Sequence, residues 1–170
     1  VFTNDDELAE LIGSLRVHGK GIDKYDNVRI GLNSRLDTIQ AAVLIEKLNV
    51  FPKELELRQQ VAECYNDNLS DEFCLPYTPP GYFSSWAQYT IRALNEPREK
   101  YMNLLKEENI PSVIYYGKNM HEQTAFKLFD HNNSSFPVSE SVSKSVFSLP
   151  MHPYLSSADQ SKVFRALNII

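Results

Sequence analysis

The chain has 170 residues, of which 42% are hydrophobic and 23% are charged. This length and balance fit one domain of ordinary size, or a small domain with part of another, and they exclude wholesale disorder. The formal net charge is −5, and the lysines and arginines are scattered. Nucleic acid and anionic membrane surfaces are therefore not expected as main partners, since both require a basic patch.

The cysteines and histidines do not form a recognisable site. Cys64 and Cys74 are too few for a disulfide framework and lack metal-ligand spacing, and the four histidines lie far apart, so no metal is expected. No stretch approaches the roughly 20 apolar residues of a membrane span, and no signal peptide opens the chain. A cytoplasmic, thiol-reduced setting is the resulting expectation.

The N-terminal region predicts the end of a strand followed by a helix. Residues 1–3 are typical of a strand already under way, which suggests a part of a longer protein. Asn4 and Glu7 have the spacing of a capping box. Apolar residues then recur at helical spacing until Gly19 and Gly21, which predict the helix end.

The next region predicts a loop and a long helical stretch. Residues 22–34 form the loop, and an apolar helix face with Ile39, Val43 and Leu48 follows it. Pro52 is predicted to break or kink this helix, or to begin a second one.

Strands and helices alternate after residue 85. Residues 87–93 alternate between apolar and polar side chains, which predicts a half-buried strand. Further elements are predicted as a helix from Pro97 to Glu108, a strand over 110–115, helices over 122–129 and 139–146, a polar loop over 131–135, a strand over 147–149 and a last helix starting at Ser156 with Asp159. Short connections between such elements indicate an α/β layer, with a small sheet covered by helices on one side.

Two segments are candidates for binding. Asn33 and Arg35 are predicted at a helix entrance, where backbone amides, a side-chain amide and a guanidinium together receive an anion. Alternatively, Asn33 caps the helix and Arg35 pairs with Asp37 or with solvent. Tyr115 and Tyr116 follow a predicted strand, where their hydroxyls either orient a polar ligand or belong to half-buried packing.

Three segments read together resemble DegT/StrS-type sugar aminotransferases. Residues 28–44 read V-R-I-G-L-N-S-R-L-D-T-I-Q-A-A-V-L and resemble the family pattern G-x-N-x-R-x-D-x-x-Q-A-A. Residues 148–153 (S-L-P-M-H-P) are similar to the near-terminal turn of the family, and residues 88–92 (Q-Y-T-I-R) to a strand of its small domain. Within the family, the subgroup acting on UDP-linked 2-acetamido-3-keto-glucuronic acid is the most similar.

The resemblance implies an α/β fold, namely the C-terminal small domain of type I pyridoxal-phosphate transferases with a long interdomain helix. Residues 1–21 would end the large cofactor domain. Residues 22–70 would form the dimer and interdomain loop and helices, and residues 71–170 the small C-terminal α/β domain.

The resemblance also implies a function. The full-length enzyme would move an amino group from glutamate, through pyridoxal phosphate, to a nucleotide-linked keto sugar in surface-polysaccharide biosynthesis. In the implied homodimer, Asn33 contacts the cofactor phosphate of the partner subunit, and Arg35 contacts the nucleotide sugar. Tyr115, Tyr116 and His121 are the other implied substrate-binding residues, with Tyr115 standing where the subgroup has histidine.

The Schiff-base lysine of the family has no counterpart in the chain. In the family this lysine lies in a characteristic stretch of sequence. That stretch does not surround any of Lys20, Lys24, Lys47 and Lys118. We therefore expect no catalytic residue in this chain and no activity from the chain alone. The alternative is a non-catalytic small-domain module for dimerisation or regulation.

Overall fold

The computed structural model describes residues 1–23, 25–126 and 135–168. The chain divides into two compact units, Val1–Val50 and Phe51–Ile170. Among the described helices, none has the length and apolar character needed to cross a membrane.

The cap of helix α1 (Asp6–Leu15) is Asp5, one residue later than the predicted Asn4. Asp5, in extended conformation, accepts a hydrogen bond from the Leu8 N–H at 2.9 Å. The capping box predicted for Asn4 and Glu7 is therefore wrong, because the carboxylate of Asp5 already satisfies the amide three residues into the helix. Residues 1–3 form no strand, since no described segment pairs with their backbone.

The segment after α1 folds back on itself. The helix ends at Leu15, before the glycines predicted to end it, and His18 (φ 60°) and Gly19 (φ 75°) then turn the chain through the left-handed region. Antiparallel bridges join Val17 to Asn33 and Lys20 to Asn27. The predicted loop over residues 22–34 is thus tied by backbone pairing to the end of α1.

Helix α2 (Thr38–Asn68) continues through Pro52, so the predicted break or second helix start is wrong. A proline inside a helix removes one backbone hydrogen bond at a cost of about 3 kcal/mol. The C-terminal half compensates by packing, because Val61, Ala62 and Tyr65 are buried.

A three-stranded antiparallel sheet lies in the second unit. Strands β1 (Phe73–Cys74), β2 (Tyr89–Ala93) and β3 (Val146–Leu149) follow one another in that order across the sheet. Tyr89 pairs with Leu149 in the β2–β3 register. The predicted alternation in β2 is confirmed, since every second residue of the strand is fully buried or nearly so.

The predicted strand over residues 110–115 is reduced to one bridge. Val113 and Ser148 exchange two backbone hydrogen bonds, of 3.2 and 2.8 Å. In an antiparallel ladder the next hydrogen-bonded position lies two residues away, and there Pro111 has no N–H to donate. The ladder therefore cannot extend in that direction.

The described part of the second unit also contains helices α3 (Arg98–Glu107), α4 (Pro137–Ser143) and α5 (Ser157–Asn168). Helix α3 confirms the prediction that Pro97 precedes a helix, whereas α4 begins and ends earlier than predicted. The predicted helix over 122–129 is replaced by 3-10 turns at Met120–Glu122 and Thr124–Phe126. Its last residues, 127–129, and positions 131–134 of the predicted polar loop lie outside the described residues.

The start of α5 agrees with its predicted cap, because the Ser156 hydroxyl oxygen accepts from the Asp159 N–H at 3.1 Å.

The core of the second unit is rich in aromatic side chains. Tyr65, Tyr89, Tyr101 and Phe147 are the largest fully buried ones. The Tyr65 hydroxyl donates to the Pro150 carbonyl at 2.8 Å, and burial raises the pKa of this phenol.

Candidate functional site

Backbone hydrogen bonds hold the segment that carries Asn33. Both neighbours of Asn33 in the chain are bonded to the end of α1. The bonds run from Leu32 N–H to the Leu15 carbonyl (2.8 Å), from His18 N–H to the Leu32 carbonyl (2.9 Å) and from Ser34 N–H to the Arg16 carbonyl (2.9 Å). The exposed side chain of Asn33 is therefore presented by a fixed backbone.

Two glycines allow this close backbone approach. A Cβ on Gly31 would lie 2.1 Å from the Gly19 nitrogen and 2.6 Å from the Leu15 carbonyl oxygen. A Cβ on Gly19, whose φ is +75°, would lie 1.9 Å from the Arg29 carbonyl oxygen. No other residue type fits at Gly31 without moving the backbone. The glycine of the G-x-N pattern is Gly31, but its role could not be predicted, because the residue that it crosses, Gly19, lies twelve residues away in the chain.

The side chains of Asn33 and Arg35 are joined. The Arg35 Nε–H donates to the Asn33 Oδ1 at 3.1 Å. Because a guanidinium can only donate, it fixes the amide oxygen towards itself and leaves the Asn33 Nδ2 as the outer group. Within the described residues, neither this Nδ2 nor the terminal nitrogens of Arg35 have a hydrogen-bond or ion-pair partner. The pair thus offers free donors of a neutral amide and a cation side by side.

The cap of helix α2 is Asp37, so the prediction that Asn33 caps this helix is wrong, whereas the exposed Arg35 faces solvent as the same alternative allowed. The Asp37 Oδ1 accepts from the Ile39 N–H at 2.8 Å, and its carbonyl accepts from Ala41 at 2.8 Å. Asn33 lies upstream of this cap, and its amide is not part of it. No ion pair joins Arg35 to Asp37 over the described ranges. The donors of the pair are thus side-chain donors, without the helix amides that the sequence suggested.

A second candidate surface lies in the other unit. Tyr115 and Tyr116 are both exposed, with ring centroids 6.5 Å apart. Within the described residues, their hydroxyls make no hydrogen bond. They border a depression of about 530 Å³, here named the tyrosine depression, whose lining is Tyr115, Tyr116, Gly117, Lys118, Asn119, Met120, Gln123 and Ser139.

His121 lies beside this depression and contacts Glu140 and Phe136, but it does not line the depression. Its Nε2 lies 3.3 Å from the Glu140 Oε1, and its ring centroid lies 4.8 Å from that of Phe136. It borders a neighbouring depression of about 420 Å³ together with Phe126 and Phe136. The structure therefore brings Tyr115 and Tyr116 together, and packs His121 against Phe136 with its Nε2 next to Glu140.

Asn119 fastens the loop of the tyrosine depression to α4. Its Oδ1 accepts from the Ser139 hydroxyl at 2.7 Å, and its Nδ2 donates to Ser143 at 3.2 Å and to the Glu122 Oε2 at 2.9 Å. The Asn119 N–H also donates to the Glu122 carboxylate. This backbone bond and the bond from Nδ2 together lower the pKa of that carboxyl. The N-x-x-E spacing of Asn119 and Glu122 could have signalled the local part of this network. The bonds to α4 join residues far apart in sequence.

Comparison with known proteins identifies the family. Residues 1–168 match the profile of the DegT/DnrJ/EryC1/StrS aminotransferase family. The chain belongs to this family. This DegT-family chain is 39% identical over 168 residues to the UDP-2-acetamido-2-deoxy-3-oxo-D-glucuronate aminotransferase of Pseudomonas aeruginosa, covering 98% of the chain and 45% of that protein. It is 34% identical to the dTDP-3-amino-3,6-dideoxy-alpha-D-galactopyranose transaminase of Aneurinibacillus thermoaerophilus, covering 99% of the chain and 45% of the relative.

A solved structure gives the same result for the fold. The DegT DnrJ EryC1 StrS aminotransferase from Brucella abortus is 51% identical, with a TM-score of 0.84, over 98% of this chain and 44% of that one. The predicted family resemblance and fold class are thereby confirmed. The DegT-family chain spans a little under half the length of the relatives that it matches.

Membership in the DegT family implies pyridoxal phosphate as cofactor. The Asn33–Arg35 pair fits a phosphate group, because it presents donors only and its single side-chain acceptor, the Asn33 Oδ1, is already used by Arg35.

Proposed function

We propose that the full-length protein is a pyridoxal-phosphate-dependent aminotransferase that moves an amino group from glutamate to a nucleotide-linked keto sugar. The observation that carries the proposal is the Asn33–Arg35 pair, with its donors free and its backbone held at both sides. Such a pair suits the two anionic groups of this reaction, a cofactor phosphate and a nucleotide diphosphate. We place the activity in surface-polysaccharide biosynthesis.

In the proposed cytoplasmic homodimer, the Asn33 Nδ2 donates to the cofactor phosphate held by the partner subunit. The Arg35 guanidinium binds an anionic group of the nucleotide sugar. Both residues act by holding and orienting, whereas the cofactor supplies the electron sink for the transfer. The bond between the two side chains keeps the amide donor facing outwards, so that its orientation is set before the ligand arrives.

The proposed substrate is a UDP-linked 3-keto sugar with a 2-acetamido group, such as the glucuronic acid derivative. This follows the Pseudomonas aeruginosa relative, which is named for that substrate. Tyr115 and Tyr116 would donate hydrogen bonds to sugar oxygens, since their hydroxyls are exposed and have no partner within the described residues. His121 would contribute at the margin of the same site and would have to exchange its contact with Glu140.

The lysine that carries the cofactor is proposed to lie outside residues 1–170. None of Lys20, Lys24, Lys47 and Lys118 stands in the sequence context of that lysine. The acid–base step of the reaction needs this amine. We therefore propose that residues 1–170 alone are inactive.

The test is an assay of the full-length protein with pyridoxal phosphate, glutamate and a panel of nucleotide-linked keto sugars. Mass spectrometry of the products should show an amino sugar formed in step with 2-oxoglutarate. Absence of transfer to every sugar, together with absence of cofactor binding, would contradict the proposal. That result would support the non-catalytic module for dimerisation or regulation instead.

A further inference from the structure

We propose that Lys118 is a specificity-determining residue that binds an anionic group of the substrate in the tyrosine depression. This inference rests on the proposed function and names a chemical requirement of its substrate. The group is either a carboxylate on the sugar or the nucleotide diphosphate, and both are anionic oxygens that an ammonium group binds.

Among the described residues that line the tyrosine depression, one side chain carries charge. Lys118 is the charged residue of its lining within the described residues, and the other lining side chains are polar or apolar without charge. The phenol hydroxyls of the two tyrosines are hydrogen-bond donors that add no negative charge to the lining. A depression whose described lining has one cation, two phenol donors and no carboxylate attracts anions.

The nearby carboxylates are committed to other partners. Glu122 accepts from the backbone and side chain of Asn119. The cations that further lower its pKa are His121 and Lys144. Glu140 accepts from the Phe136 N–H at 3.3 Å and lies 3.3 Å from His121. In the part of the chain that the structure describes, Lys118 therefore has no carboxylate partner.

The backbone at Lys118 is fixed although its side chain is exposed. The Gln123 Nε2 donates to the Lys118 carbonyl at 3.2 Å. The Oδ1 of the next residue, Asn119, accepts a hydrogen bond from the Ser139 hydroxyl at 2.7 Å, and this bond anchors the loop to α4. A cation on an anchored backbone loses less conformational freedom on binding than one on a free loop. Local bonding thus prepares the ammonium group for a ligand.

Lys118 also compensates for Tyr115. A phenol at that position donates a hydrogen bond but cannot carry positive charge. The ammonium of Lys118, lining the same depression, supplies the charge that an anionic sugar substituent needs. Substrate discrimination by charge is therefore assigned to Lys118, and hydrogen-bond donation to the tyrosines.

The test compares two UDP-linked 3-keto sugars that differ only at C6, one with a carboxylate and one with a hydroxymethyl group. In the full-length protein, Lys118→Met should raise the KM for the carboxylate sugar about ten-fold with kcat nearly unchanged, as expected for loss of one charge-assisted hydrogen bond. Lys118→Arg should restore the KM. Lys106→Met, which removes an exposed lysine outside the depression, should leave the KM unchanged.

The two substrates separate the two sources of anionic charge. A loss confined to the carboxylate sugar assigns Lys118 to C6, and an equal loss with both sugars assigns it to the diphosphate. An unchanged KM for both sugars in Lys118→Met would overturn the proposal.

Equilibrium binding of the two nucleotide sugars, measured by calorimetry, provides a readout independent of turnover. Weaker binding to Lys118→Met in a protein without transaminase activity would support Lys118 while contradicting the proposed function. Equal binding to wild type and variant, or no binding to either, would overturn the proposal for Lys118.

Discussion

The Arg35 Nε–H donates to the Asn33 Oδ1 across 3.1 Å, and this bond decides which end of the amide is left for a ligand. An aspartate at position 33 would keep the acceptor for Arg35 but replace the outer donor with negative charge. An alanine would remove both. These two substitutions therefore separate the internal bond of the pair from its contact with an anion.

For Asn33, we expect Asn33→Ala in the full-length protein to weaken pyridoxal-phosphate binding by about ten-fold, the effect of losing one hydrogen bond to a charged group. Asn33→Asp should weaken it further, because a carboxylate repels the phosphate. Equilibrium dialysis of the cofactor measures both. Cofactor affinity in Asn33→Asp equal to that of the wild type would rule out a phosphate contact.

For Gly31, we expect Gly31→Ala to lower the free energy of unfolding by about 2 kcal/mol or more, since the added methyl would meet the Gly19 backbone at 2.1 Å. Gly13 is the matched control, because a Cβ there meets nothing within 4 Å and the residue is inside α1. Gly13→Ala should stabilise the protein by up to about 1 kcal/mol. Urea unfolding measures both variants. Equal free energies of unfolding for Gly31→Ala and Gly13→Ala would contradict the backbone crossing.

The start of α5 should contribute a pH-dependent stability. Hydrogen bonds from Lys162 and then Ser156 hold the pKa of Asp159 below its ordinary value of 3.8. A depressed folded-state pKa stabilises the protein above pH 3.8, and the contribution is lost as the pH falls through the lowered value. Asp159→Asn should therefore flatten this part of the acid limb. The measurement is the unfolding free energy of both proteins between neutral and acid pH. A constant difference between variant and wild type over this range would contradict the prediction.

Tyr65 and Tyr154 provide a matched pair of phenol hydrogen bonds. Tyr65 is fully buried and donates to Pro150 at 2.8 Å, whereas Tyr154 is 67% exposed and donates to Glu54 at 2.7 Å. We expect Tyr65→Phe to cost about 1 kcal/mol of unfolding free energy and Tyr154→Phe less than about 0.5 kcal/mol. Thermal unfolding measures the difference, and a larger loss in Tyr154→Phe would be contrary to this account.

Local patterns predicted the elements whose cause is local. The alternation through β2 follows from burial of one face, and the start of α5 follows from the bond between Ser156 and the Asp159 amide. The family pattern over residues 28–44 indicated Asn33 and Arg35 as a pair, and the structure joins their side chains.

Features that depend on distant partners were not predicted. The continuity of α2 through Pro52 depends on the burial of Val61, Ala62 and Tyr65, about two and a half to three and a half turns further on, which outweighs one missing hydrogen bond. The single bridge at Val113 depends on its pairing with Ser148 and on the absent N–H of Pro111. The anchoring of Asn119 on α4 likewise joins positions that no local pattern connects.

The central claim is that Arg35 binds the nucleotide sugar, and the two half-reactions of the full-length protein test it most directly. Stopped-flow measurement of each half-reaction in Arg35→Ala should show an apparent dissociation constant for the keto sugar raised at least about ten-fold, as for loss of a charge-assisted contact. The glutamate half-reaction, measured at saturating cofactor so that loss of the Arg35–Asn33 bond is not limiting, should change much less. A keto-sugar half-reaction in Arg35→Ala with the wild-type dissociation constant and rate would contradict the claim.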